Sequence, residues 1–313
     1  MKKNLYLVTI IIFALIAAGC GTSAPEVVEQ APVAPVNASP EQTITIGVVS
    51  DDPADEIATF QPLADYLAQK LADQNILAGK VVVTATLEDM EAKLKSGEVD
   101  LFFESPYGAV QAYENASAIP MLRRWKGGIG EYYSVIVSLN SGSVNQISDL
   151  KGGMVAFEDV GSTSGYILPK ALFVSQGFTA TEKQEATSSV EVEEIGYFFA
   201  GSTENAFALL LDGRIDAVAM QLDDYEEFPT DQKDQTKVIA QTQAVPRHMV
   251  MASPTLDDAF RQAISAVLLD MENSEEGLAM LALTEETTRF DQFPPLGPEG
   301  TMKELEELFS FVR

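Results

Sequence analysis

The chain has 313 residues, with 20 Lys and Arg against 47 Asp and Glu, one His and one Cys, so its formal net charge is −27. This acidity excludes a nucleic-acid-binding protein, which needs clustered Lys and Arg to displace the counterions of a polyanion, and it argues against docking on an anionic membrane surface. A Cys/His zinc site and an internal disulfide are excluded because the residues for them are absent, and we expect no metal or cofactor.

The first twenty residues have the features of a secretion signal. Lys2 and Lys3 precede the apolar run Leu5–Ala18, which is shorter than the about 20 residues of a membrane span. The segment 16–20 (IAAGC) resembles the bacterial lipobox, although Ala17 stands where that motif usually has Leu. We therefore expect residues 1–19 to be a lipoprotein signal peptide and Cys20 to be lipidated. The alternative is an uncleaved anchor helix with an incidental cysteine.

Residues 20–42 have the composition of a linker. Prolines at positions 25, 32, 35 and 40 lie among Ala, Val, Ser and Thr, with no helical or strand period. Pro-rich polar sequence stays extended and solvated, so we predict a lipidated tether between a membrane and a globular body. The protein is then expected outside the cytoplasm, anchored to the bacterial cell envelope membrane on its periplasmic or cell-surface side.

Strands and helices alternate through the rest of the chain. Apolar runs rich in β-branched residues predict strands at Thr43–Val49, Lys80–Thr86, Val99–Phe103, Tyr132–Ser138, Met154–Phe157, Glu191–Gly196, Ile215–Met220 and Val245–Ala252. Helical spacing of apolar residues predicts helices at Phe60–Asp73, Leu87–Ser96, Thr163–Gln176, Thr203–Asp212, Asp257–Asn273 and Thr301–Phe311. This order indicates an α/β protein whose mainly parallel sheets are flanked by helices.

The pattern contains two similar halves. Each half ends in a strand that begins with an apolar residue and Asp, at Val99-Asp100 and at Ile215-Asp216, after a short helix and a Gly turn. We predict a monomer of two lobes, 43–134 plus 245–313 and 135–244, joined by a hinge of crossing strands. Ligands of such sheets bind at the carboxyl ends of strands, here in the cleft between the lobes. Asp100 and Asp216 are expected to cap neighbouring turns.

The motif with chemical content is Ser162-Thr163-Ser164, which lies between Gly161 and Gly165. It follows a predicted strand and begins a predicted helix, where free amides and the positive end of the helix dipole favour anions. Three hydroxyls add neutral donors, so the site needs no Lys or Arg. A simple helix cap is the alternative, but one Ser or Thr is enough for a cap.

Four stretches of the chain resemble the substrate-binding components of phosphate, phosphite and phosphonate ABC importers. They are Asp100–Val110, Tyr132–Ser138, Asp149–Lys170 and Tyr197–Ala206. The resemblance covers roughly 43–252 and implies a type II periplasmic-binding-protein fold, a permease and an ATPase as partners, and a small oxyanion as ligand. By match, Ser162, Thr163 and Ser164 hold the oxyanion. Phe103, Ser105 and Tyr107 are expected to face it from the first lobe, and Tyr107 as a core aromatic is the alternative.

Two departures from the family pattern concern the ligand. Thr203 stands where the family often has His, and Glu104 precedes Ser105 where the loop often reads Gly-Pro. A carboxylate that faces a phosphonate repels it, so Glu104 either points away, or binds the cationic end of a zwitterion, or indicates another ligand. The acidic segment 223–228 is expected to be a solvated loop, and a site for an ammonium group across the cleft is the alternative. The basic segment 123–128 is expected to be a solvated loop, and a segment that shapes the hinge entrance or steers anions toward the cleft is the alternative.

A hydrolase and a sensory lipoprotein are the alternatives to an importer component. A hydrolase is disfavoured because the only histidine is distant from the Ser run in sequence and no GxSxG elbow occurs. No Walker motif is present, so ATP hydrolysis is assigned to a partner. A sensory lipoprotein of the same fold stays open, as does an importer component for another small organic or zwitterionic ligand.

Overall fold

The computed structural model describes residues 42–293 and 295–312, which belong to one compact unit, Glu41–Arg313. The predicted signal peptide, Cys20 and the tether up to residue 41 lie outside the described residues. Within the described ranges, no helix combines the length and the apolar character that crossing a membrane requires.

Strands and helices alternate as predicted. The strands are β1 (Gln42–Val49), β2 (Ile76–Thr84), β3 (Leu101–Glu104), β4 (Ile119–Lys126), β5 (Glu131–Tyr132), β6 (Ser134–Leu139), β7 (Met154–Phe157), β8 (Thr179–Glu182), β9 (Glu194–Phe199), β10 (Ala217–Gln221), β11 (Thr236–Gln241), β12 (Val245–Pro246), β13 (His248–Ala252) and β14 (Thr287–Asp291). The helices are α1 (Pro53–Lys70), α2 (Leu87–Ser96), α3 (Pro106–Ala116), α4 (Leu168–Ser175), α5 (Thr203–Leu211), α6 (Leu222–Glu227), α7 (Thr230–Lys233), α8 (Asp258–Asp270), α9 (Glu275–Leu283) and α10 (Gly297–Phe309).

The strands form two six-stranded sheets and a two-stranded ribbon. The first sheet has the order β14-β4-β13-β3-β1-β2 and the second β11-β6-β10-β7-β9-β8. Strands β2, β1 and β3 are parallel, as are β8, β9, β7 and β10, whereas the strands on the other side of each sheet are antiparallel. The ribbon pairs β5 with β12 and lies where the chain passes between the sheets. Each sheet thus has parallel strands where βαβ units form it, and antiparallel strands on the side where the chain passes from one sheet to the other.

The basic segment is not the solvated loop that we expected. Its residues 123–126 lie on β4, between β14 and β13 of the first sheet, where Arg123 and Arg124 are buried. Arg123 forms ion pairs with Asp291 and Glu131, so its charge is compensated. The sequence does not show that these arginines are paired and buried. They therefore interrupt the apolar pattern that predicts a strand, and the strand was missed.

Asp100 and Asp216 each begin a strand pairing instead of capping a turn. The Thr45 N–H donates to Asp100 Oδ2 at 2.7 Å, and the Met154 N–H donates to Asp216 Oδ2 at 2.8 Å. In both cases the aspartate N–H returns a bond to the carbonyl of the same residue. The two sheets therefore use the same pair of hydrogen bonds at the start of a parallel strand pair, β1 with β3 and β7 with β10. Burial raises the pKa of Asp100 to about 6, although the Thr45 hydrogen bond opposes that rise.

Asp100→Asn is expected to flatten the dependence of stability on pH between about 4 and 6. Because the folded pKa of Asp100 exceeds the unfolded one, the native state holds the extra proton and wild-type stability falls as pH rises through this window. We expect roughly 1–2 kcal/mol of this loss to disappear in the variant, after allowance for solvent screening. Urea unfolding of both proteins at pH 4, 5, 6 and 7 measures it. Parallel curves would contradict the assignment.

Candidate functional site

Ser162 caps the turn that carries the Ser-Thr-Ser run. Its Oγ accepts the Gly165 N–H at 2.8 Å and donates to Glu158 Oε2 at 2.7 Å. The cap satisfies an amide that the turn would otherwise leave free, as Ser does at helix starts. The hydroxyl therefore donates and accepts within the protein, and the Ser162 side chain stabilises the turn.

The turn itself is a π-helical segment, Thr163–Ile167, and not the start of the α-helix that we predicted from 163 to 176. The Ile167 and Leu168 N–H groups donate to the Ser162 and Thr163 carbonyls, five residues back. Pro169 explains the wider turn, because it has no N–H to donate to the Gly165 carbonyl in an α-helix. That carbonyl accepts the Glu158 N–H at 3.2 Å instead, which ties the turn to the end of β7.

The first amides of this turn have no partner within it, as at any helix start. Among the described residues, the Thr163 and Ser164 N–H groups donate to no protein acceptor. Thr163 is only 3% exposed, so this residue is shielded from solvent. Buried backbone N–H groups rarely stay unpaired, and a pair at a turn start with free donors is the geometry that binds oxyanions.

Thr163 connects this turn to the loop after β3. Its Oγ1 accepts the Tyr107 N–H at 3.2 Å and donates to Ser105 Oγ at 3.1 Å. Behind the turn, the Ser134 hydroxyl donates to the Ser164 carbonyl at 2.7 Å. The structure thus brings Ser105 from the first sheet's loop onto the Ser-Thr-Ser turn that follows the second sheet's β7.

Three of the expected first-lobe residues have different environments. Phe103 is buried in the hydrophobic core against Phe60 and Phe290, because alternation along β3 turns its ring away from the loop, so its expected place facing a ligand was wrong. The Tyr107 ring packs edge-on against Phe309, with 5.5 Å between centroids, and only its backbone amide reaches the site. Glu104 Oε1 accepts the Ser105 N–H at 2.6 Å, and burial raises the pKa of its carboxyl.

Thr203 lies in an acidic cavity of about 370 Å³ in the same part of the molecule. Glu158, the acceptor of the Ser162 hydroxyl, is also part of its wall. The lining residues are Glu158, Thr203, Glu204, Asp224, Glu227, Phe228 and Pro229. Burial raises the pKa of Asp224 to about 6, and the charge of Glu158 adds to this rise. The cavity therefore favours positive charge next to the turn that favours negative charge.

The sequence analysis did not single out Tyr132 and Ser134, which lie where the chain crosses from the ribbon to the second sheet. Burial raises the pKa of Tyr132 to about 12, while the charge of Arg247 and the nearby Thr163 side chain lower it. Their position in the sequence could have identified them, because polar side chains in the strand predicted over 132–138 lie at the expected hinge. In the described ranges, no cluster of three or more His, Cys, Asp or Glu is arranged to hold a metal ion.

Comparison with known proteins adds independent information. A family model of periplasmic substrate-binding proteins of phosphonate ABC transporters matches residues 46–294. The phosphate-import protein PhnD of Mycolicibacterium smegmatis is 27% identical over 181 residues, which are 56% of this chain and 54% of that protein. The chain thus matches about half the length of this curated relative.

Solved structures share the fold. XAC2383 from Xanthomonas citri, bound to chloride ion, is 26% identical with a TM-score of 0.79 over 87% of this chain and 98% of that one. PhnD1 from Prochlorococcus marinus in complex with methylphosphonate is 18% identical with a TM-score of 0.61, over 86% of this chain and 98% of that one. They confirm the α/β binding-protein fold predicted from the sequence.

Proposed function

The chain belongs to the family of periplasmic substrate-binding proteins of phosphonate ABC transporters, and we propose that it captures a small phosphorus oxyanion and delivers it to a permease. This family is a transport family and not an enzyme family. The ligand is a phosphonate, phosphite or phosphate. It is held by the Thr163 and Ser164 amides and by the hydroxyls around them.

The observation that carries the proposal is the pair of free amides in the π-turn. An oxyanion placed there accepts two N–H groups that find no acceptor in the described protein. Fixed amide dipoles favour a negative group locally, while the distant carboxylates responsible for the net charge are screened by salt. A strongly acidic protein can therefore bind an anion without a cluster of lysines.

Capture is proposed to occur by closure of two lobes, 43–134 plus 245–313 and 135–244. The strands of the first sheet come from 42–126 and 248–291 and those of the second from 134–241, which supports this division. The Thr163–Ser105 and Thr163–Tyr107 hydrogen bonds join segments that follow strands of different sheets. A ligand that contacts both segments stabilises the closed arrangement, and the permease then recognises that form.

Titration calorimetry with phosphate, phosphite, methylphosphonate and aminoethylphosphonate tests this function. We expect micromolar or tighter binding of at least one of them, since about 8 kcal/mol is the scale of a capture protein's affinity. Sulfate is the control for a non-specific anion effect. If none of the four ligands binds better than sulfate, the ligand class is wrong.

A zwitterionic ligand is the second candidate, and the acidic cavity supports it. Glu158 borders both the turn and the cavity, so an ammonium group next to the oxyanion would meet the carboxylates that line it. The same titration separates the candidates. Aminoethylphosphonate is favoured over methylphosphonate if the cavity takes an ammonium group, and the two bind alike if the cavity is solvent-filled.

The membrane attachment and the partners are part of the proposal. A periplasmic family implies an extracytoplasmic location, and lipidation of Cys20 would keep the body close to a permease and its ATPase. A sensory lipoprotein with the same site is the alternative role. A neighbouring gene for a permease favours import, whereas one for a histidine kinase favours sensing.

A further inference from the structure

Arg247 lies at one of the two chain crossings between the sheets. It follows β12, whose Val245 and Pro246 pair with Tyr132 and Glu131 of β5, and it precedes β13. Its backbone N–H donates to the Gly130 carbonyl at 2.8 Å, so its position is set by both strands of the ribbon. The side chain therefore extends from the connecting ribbon and not from either sheet.

Among the described residues, the guanidinium of Arg247 is partly buried and has no carboxylate partner, whereas Arg214, which also lacks one, is exposed. Within the described part of the chain, Arg247 forms no ion pair, and its Nε, like that of Arg289, is buried without an acceptor. The group lies 4.7 Å above the ring centre of Tyr132. Four other arginines have carboxylate partners, namely Arg123, Arg124, Arg261 and Arg289. In a chain with 47 acidic residues, an unpaired and partly buried guanidinium indicates that an external anion completes it.

Tyr132 lies between this guanidinium and the π-helical turn Thr163–Ile167. Its ring lies under Arg247, and its hydroxyl lies close enough to Thr163 for that side chain to lower the pKa of Tyr132. The Thr163 amide is one of the two free donors. Arg247 therefore contacts the same tyrosine that interacts with Thr163. Glu104 and Asp224 lie close enough to act on Tyr132 as well, yet neither forms an ion pair with Arg247 in the described residues.

The neighbouring histidine does not replace this charge. Burial lowers the pKa of His248 well below its usual value, and the charges of Arg124, Lys126 and Arg247 lower it further. His248 therefore stays neutral at physiological pH. Of these two adjacent residues, Arg247 is the one that carries a positive charge.

We propose that Arg247 supplies the cationic half of the oxyanion site from the connecting ribbon, and that it selects ligands with a doubly ionised phosphorus group. This inference rests on the proposed function. Thr163 and Ser164 supply two neutral donors on one side, and the guanidinium supplies a charged planar fork on the other, which matches two oxygens of one phosphonate group. A monoanion of the same shape, such as methylsulfonate, gains less from this fork.

Because Arg247 lies on the ribbon, its contact with the ligand also orders the connection between the sheets. A ligand held by the turn, by Ser105 and by the ribbon touches every segment that must come together on closure. The ribbon arginine thus links the charge of the ligand to the stability of the closed form.

Calorimetry on the full chain in detergent with methylphosphonate and methylsulfonate tests the proposal. We expect wild type to prefer methylphosphonate, and its affinity to rise with pH across the second ionisation of that ligand. Arg247→Gln is expected to lose 10- to 100-fold in affinity for methylphosphonate and to show a flat pH profile. Arg247→Lys keeps the charge without the fork, so we expect an intermediate loss with the pH dependence retained.

Arg289→Gln is the matched control, because Arg289 also stacks on an aromatic ring but has Asp291 as its carboxylate partner. Its affinity should equal that of wild type. Arg247→Gln could lose affinity through a loss of stability, which its unfolding temperature without ligand measures. If that temperature is lower than for wild type, the affinity of Arg247→Lys and the wild-type pH profile test the proposal. Equal affinities and equal pH profiles for wild type and both Arg247 variants would overturn this proposal alone. Failure of wild type to bind any of the four phosphorus ligands would overturn the proposed function instead.

Discussion

Replacing Arg124 by methionine is expected to lower the free energy of unfolding by about 3–5 kcal/mol, because it removes one partner of a buried ion pair. Arg124 is 0% exposed and lies over the rings of Phe60 and Phe103. Its guanidinium donates to Glu285 Oε2 at 2.9 Å and to Thr287 Oγ1 at 2.7 Å. Methionine fills much of the volume but satisfies neither acceptor.

The pH dependence of this loss follows from Glu285. Burial raises the pKa of its carboxyl, but the charges of Arg124 and Lys126 outweigh burial, so the folded pKa is below the usual value. The pair then stabilises the fold above the unfolded pKa, near 4.5, and loses that contribution as pH falls through the folded pKa. Urea unfolding of wild type and Arg124→Met at pH 7 and pH 4 measures both effects.

Lys151→Met is the control for removal of a cation, because the Lys151–Glu193 pair is exposed, with 41% and 81% of the side chains accessible. We expect it to cost less than about 1 kcal/mol. The double variant Arg124→Met/Glu285→Gln should recover part of the loss, since it removes a carboxylate that keeps only Lys126, at 3.4 Å, as its ion-pair partner. A loss for Arg124→Met that matches Lys151→Met would show that the buried pair contributes nothing.

Thr163→Val is expected to weaken ligand binding by about 10- to 100-fold while leaving the fold intact. Valine has the same shape, but it neither accepts the Tyr107 N–H nor donates to Ser105. An unpaired buried amide costs about 1–3 kcal/mol, and each 1.4 kcal/mol is tenfold in affinity. Titration with the tightest of the four phosphorus ligands, together with thermal unfolding of the free protein, measures binding and stability separately.

A double-mutant cycle identifies the cause of that loss. If closure brings Thr163 onto Ser105 as in this structure, Thr163→Val and Ser105→Ala are coupled, and the double variant loses less than the sum of the single ones. Thr181→Val on the edge strand β8 is the matched control, and its affinity should not change. Additive losses, or a wild-type affinity for Thr163→Val, would contradict the role assigned to this contact.

Local signals predicted the order of elements well. The helix Leu87–Ser96 and the strand Met154–Phe157 have the predicted bounds, because Thr86 and Gly97 cap the helix and the strand is a short apolar run. The strand β4 was missed because its arginines interrupt the apolar pattern. Helix α9 and strand β14 were missed too, in a C-terminal region where the sequence analysis predicted only the two helices around them.

For the candidate site, the sequence predicted the turn but not what lies opposite it. Ser162, Gly165 and Pro169 lie within eight positions of one another, and their cap, close packing and missing N–H set the π-turn locally. The predicted first-lobe loop does reach this turn, through Ser105 and the Tyr107 amide, whereas Phe103 belongs to the core. The assignment of the remaining residues to a ligand stays a prediction.

The sequence by itself determined the α/β class, the family and the anion-favouring turn, because each depends on residues close together in the chain. Only the tertiary structure decided which groups meet across the site and which charges are buried. Thr163 and Ser105 are separated by 58 positions, and Arg124 and Glu285 by 161. Such partners are chosen by sheet order and by the chain crossings. A side chain such as Arg247 therefore gains its environment from strands that no local pattern connects.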